Sequence, residues 1–195
     1  MIPRNHLAFV RNQLLDKDTE TCGVLEYKFG FYTLDKITKG TVGSCKFPAY
    51  TEYVWHTHPK VSKAYIGSHD VITVLRTHKN PYDWPKVSLI FTLWGIWEFS
   101  AQNKRNFSEE NLESIKNYIN SKMEKVYCIT EKGRGELNSR SLQILLEGIQ
   151  AISVYINDNY KSKLSIVFTE WSKIREGYPL YFDRKRTDKM DEEKF

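Results

Sequence analysis

The stretch "EYVWHTHPKVSKAYIGSHD", residues 52 to 70, holds three of the chain's five histidines and an aspartate. Tyr53, Val54 and Trp55 are β-branched or aromatic, the composition of a strand. Side chains two apart on a strand share a face, so His56 and His58 project together, as two imidazoles must to share a metal ion. After Pro59, the "KVSKAYIG" segment reads as a loop. A helical pattern then starts at Ser68, a plausible N-cap, with Val71, Val74 and Leu75 on one side. Asp70, in the first turn, can reach the same point and supply an oxygen ligand. Two histidines and one carboxylate leave a fourth position on zinc for water, whereas structural zinc sites fill all four with protein. That count points to catalysis. His-x-His at a strand end is also a common polar turn, and on these residues alone both readings stand.

A hydrolytic metal site needs a general base from elsewhere in the chain. Glu20, in "ETCGVL", is a charged residue opening an otherwise apolar strand. By itself it reads equally as a surface carboxylate closing a helix-to-strand turn. Gly23 follows closely, and a bare glycine early in a core strand marks close approach by another backbone. Trp55 is either a wall of the metal pocket or a core residue, and Trp94, Trp97 and Phe99 read as core or sheet-face aromatics. His6 and His78 have no partners in sequence.

The elements that must position these residues follow from periodicity. "HLAFVRNQLL" places Leu7, Val10 and Leu14 at helical spacing, and "TCGVLEYKF" and "FYTLDKI" form a hairpin about Gly30. "TKGTVGSCKFPAY" reads as a loop with at most one short strand, the helix from Ser68 runs through "SHDVITVLRTH", and "PYDWP" is a turn. "KVSLIFTLWGIWEFSA" gives two strands about Trp94 and Gly95. "SEENLESIKNYINSKMEKV" is a helix capped by Ser108, with Glu109 and Glu110 in its first turn. "SRSLQILLEGIQAISVYI" is a second amphipathic helix, and "KLSIVFTEW" returns to strand.

With 195 residues, 41% of them hydrophobic and 14% aromatic, the chain suits an ordered α/β fold able to bury a real core. No apolar run reaches membrane-span length, and "MIPRNHLAF" lacks the apolar core of a secretory signal, which points to the cytosol. Cys22, Cys45 and Cys128 are odd in number and widely spaced. They argue against a disulfide framework or a zinc ribbon, so Cys22 and Cys45 read as small core residues. The net charge of +5 is mild and interleaved with acidic residues, and "RKR" at 184 to 186 reads as a solvated tail. Nucleic acid is therefore not the expected partner.

"ETCGVL", "HTHP", "SHD" and "VSLIFTLWGIWEF" occur in the order and approximate spacing of the JAMM (MPN-plus, or JAB) metalloprotease domain. "ETCG" and "HTHP" in particular resemble the AMSH-type deubiquitinases, and the resemblance covers roughly residues 5 to 105. It implies a mixed β-sheet flanked by helices, as in the cytidine deaminase-like folds, over residues 1–130. Residues 131–195 would form a mainly helical extension packed on the same core, whose helices either dock a partner protein or complete that core. The resemblance further implies that His56, His58 and Asp70 hold zinc, that Glu20 activates water and that a serine beside Asp70 stabilises the oxyanion. The implied substrate is a conjugate of ubiquitin or a ubiquitin-like protein. Trimming of small sulfur-carrier proteins, a non-catalytic MPN scaffold and the DNA-linked RadC branch are the alternatives.

One departure falls inside the motif. The family writes Ser-x-x-Asp, and this chain writes Ser68-His69-Asp70, with Asp70 twelve residues beyond His58. Gly67 stands where the serine belongs if Asp70 is the anchor, and His69 stands at the ligand position if His58 is. Asp70 as ligand and Ser68 as oxyanion donor are the expected assignment, with His69 the rival ligand, because a loop absorbs one residue more easily than zinc changes its ligands.

Overall fold

The protein is described by a computed structural model covering residues 1–47, 51–76, 85–102 and 106–182. A short strand β1 (Ile2–Pro3) leads into helix α1 (Arg4–Phe9) and a π-helical turn (Val10–Leu14). Strands β2 (Thr21–Lys28) and β3 (Phe31–Lys39) form the expected hairpin. Phe29 and Gly30 at its tip have φ of 52° and 85°, the positive pair that matches the twist of a tight two-residue turn. Strand β4 (Tyr53–Thr57), helix α2 (Ser68–Leu75) and strand β5 (Val87–Phe91) follow as a βαβ unit. β4 and β5 lie parallel, as such a crossover allows. Strand β6 (Gly95–Gln102), helices α3 (Glu109–Ile129) and α4 (Ser139–Tyr160), strand β7 (Lys163–Glu170) and the short strand β8 (Gly177–Tyr178) complete the order.

Six strands make one mixed sheet, ordered β3-β2-β4-β5-β6-β7, with every neighbouring pair except β4–β5 antiparallel. Its two faces carry separate cores, because side chains alternate along each strand. On one face Ile90, Trp97 and Phe99 meet Val71 and Val74 of α2, Ile115 and Ile119 of α3 and Ile152 of α4. On the other, Trp55, Leu89, Phe91 and Ile96 meet Leu7 and Val10 from the N-terminus and Tyr178 and Leu180 from the C-terminus. The second half of the chain thus shares the core of the first. β7 pairs with β6 over its whole length, and the buried faces of α3 and α4 cover the helical side of the sheet.

The helix ends obey local chemistry. Ser108 Oγ accepts a hydrogen bond from the Asn111 N–H at 3.2 Å, and Asn138 Oδ1 accepts one from Ser141 N–H at 2.9 Å. Three expectations are corrected. Gly67, not Ser68, is the N-cap of α2, and Ser68 is its first helical residue. That helix also stops at Leu75, because Arg76 turns extended at ψ 139°. Third, Cys22 and Cys45 are joined in a disulfide across 23 residues of sequence. They read as isolated because one sits in a core strand and the other in a loop, and only folding brings them together. Cys128 is free and exposed. His78, the "PYDW" turn and the 183–195 tail lie outside the described residues. No helix among the described residues is long and apolar enough to cross a membrane.

Candidate metal centre

β4 sets the geometry. Cys22 of β2, His56 of β4, Ile90 of β5 and Trp97 of β6 are successive register partners, so they share the face covered by the helices. Thr57 points the other way, where its hydroxyl accepts from the Thr21 N–H at 2.9 Å. His58 lies one residue past the strand, yet its N–H still donates to the Phe91 carbonyl at 2.8 Å. That bond extends strand geometry far enough to keep His58 on the same side as His56.

The imidazoles converge. His56 Nε2 and His58 Nε2 are 3.3 Å apart, and Asp70 places Oδ1 3.3 Å from the first and Oδ2 3.6 Å from the second. One ligand atom from each of the three residues lies within 4.8 Å of the others. Asp70 comes from the third position of α2, where Oδ2 also accepts the Gly67 N–H at 2.7 Å. This bond caps the helix and fixes the carboxylate's direction. His58 Nδ1 is 3.1 Å from the Lys63 carbonyl, which can only accept, so Nδ1 carries the proton and Nε2 presents its lone pair to the centre.

The donor set fits a cation. His58 Nε2 lies 3.3 Å from His56 Nε2 and 3.6 Å from Asp70 Oδ2, close enough for one cation to take a ligand atom from each of the three residues. His56 Nδ1 is buried and has no hydrogen-bond partner among the described residues, an arrangement that costs about 1–3 kcal/mol unless binding repays it. Burial raises the Asp70 pKa, but the charges and hydrogen bonds of His58 and His56 outweigh it and hold the carboxyl far below its usual range. Burial lowers the pKa of His58, and Asp70 and Glu20 more than reverse it, leaving it raised.

Around this cluster lies a cavity of about 230 Å³ lined by Glu20, His56, His58, His69 and Asp70, with Thr73 and Ser88 adding hydroxyls. Gly43, Ser44, Cys45 and Phe47, from the loop after β3, form the facing wall. Phe47 sets its ring edge-on to His56, 6.0 Å between centroids. Glu20 enters from just before β2. Its N–H donates to the Thr41 carbonyl and its carbonyl accepts the Gly40 N–H, both at 2.8 Å. Only 7% of Glu20 is exposed, and burial raises its pKa, partly offset by His56 and His58. A Cβ on Gly23 would meet the Asp35 carbonyl oxygen at 2.3 Å, the close approach the sequence suggested.

Glu20, His56, His58 and Asp70 are therefore brought together from three separate elements. His69 is exposed at the rim and does not join the converging trio. Ser68 is half-buried and is not among the residues that line the cavity. Trp55 packs on the opposite face against Phe91, which settles it as core. Sequence reasoning missed Ser88, 3% exposed. Its signal was a lone hydroxyl in the apolar run "VSLIF". Compared with known proteins, the chain matches no family model, no curated protein and no solved structure.

Proposed function

We propose that the chain is a zinc-dependent peptidase of the JAMM type, acting in the cytosol on an isopeptide or peptide bond after the C-terminus of ubiquitin or a ubiquitin-like protein. The observation that carries the reading is the convergence of His56, His58 and Asp70 beside the buried Glu20. In this reading His56 Nε2, His58 Nε2 and the Asp70 carboxylate hold the zinc. Bound zinc acts as a Lewis acid and lowers the pKa of its water to about 7.

The chain's own groups supply the rest. Glu20 takes a proton from the attacking water and returns it to the leaving amine. Its raised pKa brings it nearer the working pH, where one carboxylate serves as base and then as acid. Gly67 and Lys63 hold Asp70 and His58 in their binding orientations, so neither must reorganise. With Cys22 and Cys45 bridged, the 40–47 loop forms one wall of the approach to Glu20. A hydroxyl that stabilises an oxyanion must face the cavity. Ser88 meets that condition, and Ser68 meets it only by turning inward from its helical start.

The test is metal content measured together with cleavage of a panel of ubiquitin-like fusions, sulfur-carrier proteins included. About one zinc per chain and release of one fusion partner are the expected results. Purified protein without zinc, unchanged in folding on chelation, removes the enzyme reading. Bound zinc with no cleavage of any fusion leaves a scaffold.

A further inference from the structure

We propose that the Cys22–Cys45 disulfide is a redox-sensitive tether that holds the 40–47 loop as one wall of the metal-site cavity, and that a dithiol reductant opens this wall. The proposal rests on reading this cavity as the working site, but the tether itself is independent of the peptidase chemistry.

Three observations carry it. Cys22 is fully buried in β2 and is the register partner of His56, so the anchored end of the bridge is fixed to the sheet beside a proposed ligand. Cys45 lines the cavity together with Gly43, Ser44 and Phe47, so the other end lies in the wall. The loop's attachments also differ along its length. Its first residues are held by main-chain bonds, Gly40 and Thr41 to Glu20 and Thr41 N–H to the Ser44 carbonyl. For Cys45, Lys46 and Phe47 no main-chain bond is present among the described residues, and the disulfide is their covalent hold on the sheet. Two residues beyond the bridge, Phe47 sets its ring edge-on to His56.

The chemistry is ordinary thiol–disulfide exchange. Cys45 is half-buried and Cys22 fully buried, so a thiolate of the reductant attacks the Cys45 sulfur and expels the Cys22 thiolate. The reductant's second thiol then attacks its own sulfur in the mixed disulfide and releases Cys45. Two electrons and two protons pass to Cys22 and Cys45, and the dithiol leaves as its disulfide. In a reducing compartment the wall is open, and oxidation closes it. The first part of the loop, with Glu20, stays in place in both states. The Cys45–Phe47 part swings, and Phe47 leaves His56.

The experiment has an activity-free core. Denaturing alkylation of chain purified without reductant is expected to modify one cysteine, Cys128, and all three after dithiothreitol treatment. Exposed Lys46 is then a trypsin reporter on the wall. Its cleavage in folded protein, after reduction, alkylation and removal of reagent, is expected to accelerate on the order of tenfold or more, as local opening dictates. Cys45→Ser, which needs no reductant, is expected to do the same while zinc content stays at the wild-type level. Three alkylatable cysteines before reduction, or Lys46 cleaved at one rate in all forms, overturns the tether. A wild-type chain that carries no zinc defeats the peptidase reading instead, and the trypsin result still decides the tether.

Discussion

Two carboxylates are buried on opposite faces of the same sheet, and their surroundings differ in kind. Glu98, on β6, is 3% exposed and faces the N- and C-terminal segments. Its Oε2 accepts from the Tyr178 hydroxyl at 3.2 Å and the Tyr181 N–H at 2.9 Å, and its Oε1 accepts from the Phe182 N–H at 2.7 Å. Asp70, 9% exposed, has one backbone donor and two imidazoles whose Nε2 atoms crowd toward it and toward each other. Fixed neutral donors satisfy Glu98 and clamp the C-terminal segment onto the sheet. The Asp70 cluster has beside it a cavity and a His56 Nδ1 with no hydrogen-bond partner among the described residues. A buried carboxylate is thus no sign of function in itself. The sign is a set of ligand atoms close enough to share one cation beside an open cavity.

The comparison is broken most severely at the ligands. Asp70→Ala, His56→Ala and His58→Ala are each expected to remove zinc, whereas His69→Ala keeps it, as elemental analysis of the purified variants will read. Zinc kept in Asp70→Ala and lost in His69→Ala would reverse the ligand assignment. Next comes Glu20→Gln, expected to retain zinc and fold while turnover falls by about two to four powers of ten. A variant that loses its metal makes Glu20 a ligand, and unchanged turnover returns it to a plain buried carboxylate.

On the other face, Glu98→Ala is expected to lower stability by about 2–4 kcal/mol, since it strands buried donors, yet to leave zinc content unchanged. Denaturant unfolding beside metal analysis checks both, and a variant that loses zinc would show that the faces are coupled. The smallest effect is at Tyr178. Burial first, then the charge of Glu98, raises its pKa well above the ordinary value of 10. The folded state therefore keeps this proton while the unfolded chain releases it. Its contribution to stability is full below pH about 10 and is lost as pH rises toward the folded value. Above that pH, Tyr178→Phe is expected to lose thermal stability less steeply than wild type. Parallel slopes would mean that Tyr178 does not titrate differently in the two states.

The sequence by itself determined what depends on near neighbours. His56 and His58 share a face because a strand repeats every two residues, and α3 begins at Ser108 because a hydroxyl satisfies an orphan N–H. The hairpin, the amphipathic helices and the mixed α/β class were legible for the same reason. The choice of Asp70 over His69 rested on the resemblance and on a loop absorbing one residue more easily than zinc changes its ligands. Only the tertiary structure decided the remainder. Glu20 reaches the histidines because β2 lies beside β4 in the register that pairs Cys22 with His56, and sequence periodicity carries no such register between distant strands. The His58 tautomer waits on the Lys63 carbonyl, and Ser88 enters the cavity through the parallel β4–β5 pairing. Cys22 meets Cys45 only once the loop after β3 folds back over the sheet. These are contacts between residues far apart in the chain, fixed by how whole elements pack, so no local pattern encodes them.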